Sequence, residues 1–236
     1  MFCAKEFWDY RNRGCQKGNT MKNCKIKSLV LGPLATNCYL VWNQDTRQAL
    51  IVDPADRADR IAEEMERLGI DPVAVLLTHG HFDHMMAAKE IRTAYQIPVY
   101  AYEAEADLMA DPEANLSYGF AGVSYSMQAD HWVRDREHLE LAGFDIQVIA
   151  TPGHTVGSCC YYIAEEGVLL SGDTLFCQSV GRTDFPTSST GSLIRSIGNR
   201  LFVLPEETKV YPGHNEPTTI RFEKQYNPVA PYCQKQ

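Results

Sequence analysis

The stretch LLTHGHFDHMMAAKEI, residues 76–91, places three histidines and an aspartate within six positions. These residues are His79, His81, Asp83 and His84. Imidazole and carboxylate groups are ligands that zinc accepts, and iron and manganese accept them too. The stretch follows an apolar run and precedes a segment with helical character. It therefore predicts a metal-binding loop at the end of a strand.

The spacing of these four residues favours two neighbouring metal positions. His79 and His81 are two residues apart in an extended loop, so their side chains can point in the same direction. Asp83 and His84 fall at the turn into the predicted helix, where the backbone changes direction. One short segment can therefore contribute ligands to two metal ions.

Three further strand ends carry a histidine or an aspartate beside a glycine. They are VIATPGHTVGS with His154, VLLSGDTLF with Asp173 and KVYPGHNEP with His214. Glycine and proline permit the tight turns that bring strand ends together, and the Asp173 carboxylate can bridge two dications. The candidate metal ligands are thus His79, His81, Asp83, His84, His154, Asp173 and His214.

The elements that must position these residues form two β-rich halves. Runs of β-favouring residues bounded by turn signals predict the strands. In the first half they are 26–31, 38–42, 49–52, 73–77 and 99–102; in the second half, 139–141, 144–150, 158–164, 167–171 and 209–211. The last two strands before residue 172 are predicted to form a hairpin that closes at Glu166-Gly167.

Helices are predicted between these strands. Ile61, Met65 and Leu68 recur at helical spacing, and further helices are predicted at about 85–95 and 192–201. Two β-rich halves that each contain helices indicate an α/β chain, in which two sheets pack face to face with helices outside.

The segment at 111–137 shows no clean periodicity and predicts a surface excursion with a helical piece. His131 and His138 are the two histidines of the chain's seven that lie outside the ligand motifs. Both are interpreted as surface residues.

Length and charge limit the classes of function. The chain has 236 residues, of which 44% are hydrophobic, and its net charge is -8. This charge argues against a broad electrostatic surface for nucleic acid or anionic lipid. No run approaches the roughly 18 apolar residues of a membrane span, and the first twenty residues lack the apolar block of a signal peptide. We expect a cytoplasmic protein without nucleic-acid or membrane partners.

The beginning of the chain differs in character from the rest. Residues 1–20 are polar, aromatic in spots and without periodicity, and they are interpreted as a loosely ordered N-terminal extension. Residues 21–236 are expected to form a single domain.

The eight cysteines include no Cys-x-x-Cys pair, so a thiolate zinc site is not indicated. They are interpreted as reduced thiols in a cytosolic protein, with redox sensing by an exposed thiol such as Cys177 as the alternative. Strand alternation predicts that Cys159 and Cys160 face opposite sides of their sheet.

The motifs THGHFDH, PGHT, GDTLF, GRTDFP and PGHNEPTT, in this order, resemble the metallo-β-lactamase superfamily. Within it, the match is to the small glyoxalase-II-like hydrolases, and it extends from about Lys25 to Pro228. The resemblance implies a four-layer αββα sandwich of two mixed β-sheets flanked by helices, which agrees with the two halves of the strand pattern.

The resemblance also implies how the candidate ligands divide between two divalent metal ions. One ion would be held by His79, His81 and His154, the other by Asp83, His84 and His214, and Asp173 would bridge them. A hydroxide between the ions would attack an ester or thioester carbonyl, and a metal would stabilise the oxyanion. Asp83 could also act catalytically by orienting the hydroxide, although we favour a ligand role. Zinc is the expected metal, with iron or manganese as alternatives.

The leading functional hypothesis is a binuclear metal-dependent hydrolase of small-molecule thioesters of the acylglutathione type. The alternative is a mononuclear iron persulfide dioxygenase, which would share the fold, the GRTDF segment and a triad of the type His79, His154 and Asp173. A phosphodiester-cleaving enzyme is disfavoured by the acidic charge. The identity of the thioester substrate stays open. Glyoxalase II enzymes carry a C-terminal helical domain that contacts glutathione, whereas only about two dozen residues follow His214 here.

Two local features remain open between structural and functional readings. Met85 and Met86 stand where the family usually has glycines, and core packing is favoured over contact with an acyl group. Arg182 could attract an anionic substrate, or form a structural pair with Asp184.

Overall fold

The computed structural model describes residues 23–233 of the chain. The predicted extension at 1–20 lies outside the described residues, and the domain boundaries stay a prediction.

The first of two six-stranded sheets contains the first six strands in chain order. They are β1 (Cys24–Leu31), β2 (Thr36–Asn43), β3 (Gln48–Val52), β4 (Asp71–Leu76), β5 (Val99–Tyr102) and β6 (His131–Val133). Strands β1 to β3 pair antiparallel, whereas β3 to β6 pair parallel. Parallel pairs need crossover connections, so helices must lie between these strands.

The second sheet is built from the later strands in the order β14-β13-β10-β9-β8-β7. The remaining strands are β7 (His138–Leu141), β8 (Phe144–Ala150), β9 (Cys159–Ile163), β10 (Val168–Gly172), β11 (Leu175–Phe176), β12 (Ser179–Val180), β13 (Lys209–Pro212) and β14 (Thr218–Thr219). Within residues 23–233, β10 and β13 are the only neighbours in this sheet that pair parallel, and its other neighbouring strands pair antiparallel. Strands β11 and β12 form a separate small hairpin.

Helices connect the strands and cover the outer faces of both sheets. They are α1 (Ala58–Leu68), α2 (Phe82–Met85), α3 (Ala88–Tyr95), α4 (Ala106–Ala110), α5 (Ser117–Ala121), α6 (Thr190–Ser196), α7 (Ile220–Tyr226) and α8 (Ala230–Cys233). Short 3₁₀ turns occur at Glu103–Glu105 and Ala164–Glu166, and a π-helical turn at Ile197–Leu201 continues α6. None of the helices within the described range is long and apolar enough to cross a bilayer.

Three apolar clusters show that the layers stack as αββα. Alternation along β3 places Leu50 in the cluster between the sheets and Ile51 in the cluster beneath α1 and α3. Leu193 belongs to a third cluster, which packs α6 on the outer face of the second sheet. The predicted fold class is therefore confirmed. The same alternation places Cys159 between the sheets and Cys160 on the outer side, as predicted.

The predicted helix at 85–95 is wrong at its start. The chain forms α2 from Phe82, turns at Met86 and Ala87, and resumes as α3 at Ala88. The Ala87 N–H donates to the Pro54 carbonyl at 3.0 Å, which anchors the break to the loop after β3. Asp83 and His84 consequently lie inside a helical turn, whose direction is set by this tertiary contact.

Other differences concern short elements. The helical piece expected within 111–137 is α5, but β6 in the same segment was not predicted, and neither were β11, β12, β14, α4, α7 and α8. A strand of three residues, two of them exposed, carries too little periodicity to be detected. His131 and His138 are both exposed, as predicted, and the hairpin of β9 and β10 closes at Gly167, whose φ is 63°.

Replacing Leu50 by alanine should destabilise the sandwich, because Leu50 is fully buried between the two sheets. We expect the free energy of unfolding to fall by about 2–5 kcal/mol, the usual cost of a leucine-sized cavity. Urea unfolding measures this change. Val203→Ala is the control, since Val203 is 70% exposed. Equal stabilities of the two variants would contradict the assignment of Leu50 to the intersheet core.

Candidate metal centre

The segments with candidate ligands all follow the carboxyl ends of strands that meet at one edge of the sandwich. His79 and His81 follow β4 of the first sheet. His154, Asp173 and His214 follow β8, β10 and β13, which run in the same direction in the second sheet. Loops beyond the carboxyl ends of strands are common sites for ligands in α/β proteins.

Three histidines form the first group of the site. Potential ligand atoms of His79, His81 and His154 all lie within 4.8 Å of one another. The Nδ1 atom of His81 is 2.9 Å from the Nε2 atom of His154. All three side chains are buried, so water does not compensate their ring nitrogens.

Asp83, His84 and His214 form the second group, with potential ligand atoms again within 4.8 Å. The Asp83 Oδ2 atom is 3.5 Å from the His84 Nε2 atom and 3.4 Å from the His214 Nε2 atom. Asp83 and His214 are the more exposed members, at 12% and 21% of their side-chain surface. The site therefore opens to solvent on this side.

Asp173 lies between the two groups. Its Oδ2 atom is 3.5 Å from the Nε2 atom of His154, in the first group, and 3.5 Å from that of His214, in the second. Its Oδ1 atom is 3.4 Å from the His84 Nε2 atom. A Cβ atom at Gly213 would collide with this oxygen, so only glycine allows the β13 loop to approach it. The sequence-predicted residues are all brought together.

Several atoms of the cluster need a partner that the described residues do not provide. The Nε2 atoms of His79, His81 and His84 and the Oδ1 atom of Asp173 are buried without a hydrogen bond to any residue within 23–233. Buried polar atoms without partners are rare and costly, whereas a cation would satisfy lone pairs on several of them at once. Nitrogen and carboxylate donors in this arrangement fit divalent zinc, iron or manganese.

The protonation of the cluster suits a cation. Burial, reinforced by the His154 imidazole, lowers the pKa of His81 to about 3. Burial and then the His84 imidazole hold the pKa of His79 well below its ordinary value. Burial opposes ionisation of Asp173, but His84 outweighs it and keeps the pKa of that carboxyl low. Uncharged imidazoles and an ionised carboxylate both offer lone pairs to a metal ion.

His84 shows the opposite behaviour. Burial disfavours its charged form, yet the carboxylates of Asp83, Asp173 and Asp53 raise its pKa well above the ordinary value. In the metal-free protein both ring nitrogens of His84 thus carry a proton, and a metal ion at Nε2 would have to displace the proton there.

Asp53 is a functional residue that the sequence analysis missed. Its Oδ2 atom lies 2.9 Å from the Nδ1 atom of His84, and its two oxygens accept hydrogen bonds from the Thr78 N–H and hydroxyl at 2.8 and 2.7 Å. A carboxylate on Nδ1 turns the Nε2 atom of His84 towards the cluster. The signal was available, because Asp53 directly follows the apolar run of β3, which runs parallel to β4.

Two other contacts orient ligands. The Thr36 hydroxyl donates to Asp83 Oδ2 at 2.8 Å. The Nδ1 atom of His154 donates to the backbone carbonyl of Arg182 at 2.8 Å, which leaves Nε2 for the cluster. The GRTDFP motif therefore acts here through a main-chain oxygen. The Arg182 side chain pairs with Asp184 at 2.6 Å, so the structural pair is confirmed.

Met85 is also accounted for by packing. It is fully buried in the cluster beneath α1 and α3, as the core interpretation predicted.

Replacing Asp53 by asparagine should weaken metal binding by about 10–100-fold, because an amide does not hold the N–H of His84 as a carboxylate does. Metal affinity is measured by competition with a chromophoric chelator. Asp59→Asn is the control, since Asp59 is an exposed residue paired with Arg57. An unchanged affinity in Asp53→Asn would refute the orienting role.

Acid should destabilise the metal-free protein through His81. The unfolded chain binds a proton at His81 near pH 6.5, whereas the folded chain binds it only near pH 3. His81 therefore does not lower the free energy of unfolding above pH 6.5. As the pH falls below 6.5, protonation of His81 in the unfolded chain lowers this free energy by up to about 1.4 kcal/mol per pH unit. Urea unfolding of chelator-treated protein at pH 7 and pH 4.5 tests this. His81→Gln should reduce the difference in the free energy of unfolding between the two pH values. An unaltered difference would contradict the role of His81.

Comparisons with known proteins agree with this geometry. The family model of the metallo-beta-lactamase superfamily matches residues 31–214. The chain is 36% identical over 205 residues to the probable metallo-hydrolase YqgX of Bacillus subtilis, covering 86% of this chain and 96% of the relative. It is 33% identical over 195 residues to the hydroxyacylglutathione hydrolase GloC of Haemophilus influenzae, covering 81% and 91%.

Solved structures show the same relationship. The structure of BLEG-1 B3 metallo-beta-lactamase is 39% identical, with a TM-score of 0.83 over 87% of this chain and 99% of that one. TTHA1623, crystallised in a di-iron-bound form, is 33% identical, with a TM-score of 0.76 over 86% and 98%. The ligand cluster, the sandwich and these similarities lead to one conclusion. The chain belongs to the metallo-beta-lactamase superfamily.

Proposed function

We propose that the chain is a binuclear metal-dependent hydrolase that cleaves small-molecule thioesters. The relatives support a metal-dependent hydrolase in general, and the name of the Haemophilus influenzae relative supports a thioester substrate. The observation that carries the proposal is the second ligand group of Asp83, His84 and His214, which a mononuclear enzyme does not require. The proposed substrate is a small molecule, and we propose no nucleic-acid or membrane partner.

The proposed ligand division follows the two groups. His79, His81 and His154 would hold one ion, Asp83, His84 and His214 the other, and Asp173 would bridge them. When bound, two divalent cations supply Lewis acidity for a carbonyl oxygen and lower the pKa of water enough for attack near neutral pH. Zinc is the expected metal, and the di-iron form of a related structure supports iron as the first alternative.

The residues of the chain provide the rest of the chemistry. Asp83 and His214 border the open side, so a substrate carbonyl would approach next to them. Asp83 serves mainly as a ligand in this proposal, and its second oxygen can orient the attacking water. A thiolate leaves readily, which removes the need for a strong general acid near the leaving group.

An aromatic surface beside the first group supports a substrate with an apolar acyl part. The ring centroid of Phe185 lies 5.6 Å from that of His81 and 5.7 Å from that of Phe120. Phe120 is 57% exposed, so this surface is open to a ligand. Arg182 lies over Phe185, but Asp184 neutralises its charge, which makes the surface more suitable for an apolar group than for an anion.

The alternative is a mononuclear iron persulfide dioxygenase of the same fold. It is supported by the positions of His79, His154 and Asp173. The Asp173 Oδ2 atom is 3.5 Å from the His154 Nε2 atom, and candidate ligand atoms of His79 lie within 4.8 Å of those of both His154 and Asp173. Such an enzyme would need only these three ligands, so the number and identity of bound metals separate it from the hydrolase.

Purified protein should contain two metal ions per chain and should hydrolyse acyl thioesters in a chelator-sensitive manner. His79→Ala should lose metal and activity while circular dichroism shows that the sandwich survives, because His79 lies in the loop after β4 and not in either sheet. Elemental analysis and a thiol-release assay measure these outcomes. His131→Ala is the control, since His131 is exposed and belongs to none of the ligand groups found among the described residues.

Two results would contradict the hydrolase. One is full thioesterase activity in metal-depleted His79→Ala protein. The other is a single iron per chain with oxygen consumption on glutathione persulfide, which would establish the dioxygenase instead.

A further inference from the structure

Glu105 is a fully buried carboxylate that connects two ligand-bearing loops without belonging to either. It ends the 3₁₀ turn Glu103–Glu105 that follows β5. Its Oε2 atom accepts a hydrogen bond from the Gly80 N–H at 2.6 Å, and its Oε1 atom accepts one from the Gly157 N–H at 2.7 Å. The two donors come from loops that are 77 residues apart (157 minus 80) in the sequence.

Each of these donors lies close to metal-ligand candidates. Gly80 stands between His79 and His81, and Gly157 stands three residues after His154. The two hydrogen bonds therefore fix the backbone of the loop with His79 and His81 relative to the loop with His154. These two loops carry all three histidines of the first group.

The glycines show how closely the segment with Glu105 packs on both loops. A Cβ atom at Gly80 would lie 2.5 Å from Met109 Cγ and 3.1 Å from Glu105 Oε2. At Gly157 it would lie 2.7 Å from Glu105 Oε1. Only residues without a side chain allow both loops to reach the carboxylate.

A carboxylate is suited to this position because it has two acceptor oxygens and no donor. A glutamine would keep one acceptor but would turn an amide N–H₂ towards a backbone N–H. The partners of Glu105 within residues 23–233 are uncharged groups, namely the two glycine N–H groups and the Thr155 hydroxyl. Burial raises the pKa of the Glu105 carboxyl, and the hydrogen bonds from these three groups oppose that shift.

We propose that Glu105 is a positioning residue that sets the spacing of His79, His81 and His154 before a metal ion binds. The inference rests on the proposed function in one respect, namely that these histidines bind metal. By holding both loops in place, Glu105 reduces the ordering that metal binding would otherwise require. Within residues 23–233 Glu105 makes no hydrogen bond to a candidate ligand side chain, so its effect passes through the backbone.

The test compares Glu105→Gln with Glu223→Gln. Glu223 is also fully buried, and it accepts hydrogen bonds from the Thr218 hydroxyl at 2.6 Å and the Gln178 N–H at 2.9 Å. Both variants lose a buried carboxylate, but Glu223 makes no hydrogen bond to the described loops at 79–81 or 154–157. Thermal unfolding of the metal-free variants shows how much stability each loses.

Cobalt binding is then followed by its visible absorption, which reports both affinity and ligand geometry. We expect Glu105→Gln to bind cobalt about 10–100-fold more weakly and with an altered spectrum, as for loss of other groups that orient ligands. Glu223→Gln should keep the wild-type affinity and spectrum. Repeating the titration in a His214→Ala background, which breaks the second group, assigns the loss to the first group.

Glu105→Asp provides a second variant in case Glu105→Gln does not fold. It keeps the charge but is one methylene shorter, so it can reach only one of the two glycines, and we expect an intermediate affinity. Wild-type cobalt affinity in Glu105→Gln or Glu105→Asp, or an equal loss in Glu223→Gln, would overturn the positioning role while leaving the metal centre intact. Absence of metal binding in the wild-type protein would overturn the proposed function as well.

Discussion

The constraint on which this site depends is the burial of polar atoms that no hydrogen-bond partner satisfies. Ring nitrogens of His79, His81 and His84 and an oxygen of Asp173 face one small volume and lack hydrogen-bond partners within the described residues. Such a cluster would destabilise an ordinary core. The surrounding residues nevertheless hold the cluster in place, because Asp53 fixes the ring of His84 and the Arg182 carbonyl fixes the ring of His154.

The sandwich supplies this constraint by bringing the ends of strands from two sheets together. Contacts across the intersheet boundary hold the edge in place. Tyr39 and Asn37 of β2 donate to the carbonyl of Pro212, at 2.7 and 2.9 Å, immediately before the loop with His214. These hydrogen bonds hold the start of the His214 loop against β2 of the other sheet.

Membership of the metallo-beta-lactamase superfamily specifies the sandwich fold and the ligand cluster, but it does not specify the substrate. The similar proteins carry different names, and one of the similar structures holds two iron ions. In this chain, the aromatic side chains beside the ligand cluster lie outside the sheets, Phe120 on α5 and Phe185 in the GRTDFP loop. Substrate choice can thus change without altering the ligand cluster.

By itself, the sequence determined the ligand candidates and the layers. Each candidate ligand follows an apolar run and stands beside or near a glycine, so local pattern and residue chemistry were enough to single it out. Alternation similarly predicted the opposite faces of Cys159 and Cys160. The tertiary structure decided the break at Met86, the orienting role of Asp53 and the two bonds of Glu105. These depend on contacts between residues that lie 25 or more positions apart, and such contacts leave no periodic trace in the chain.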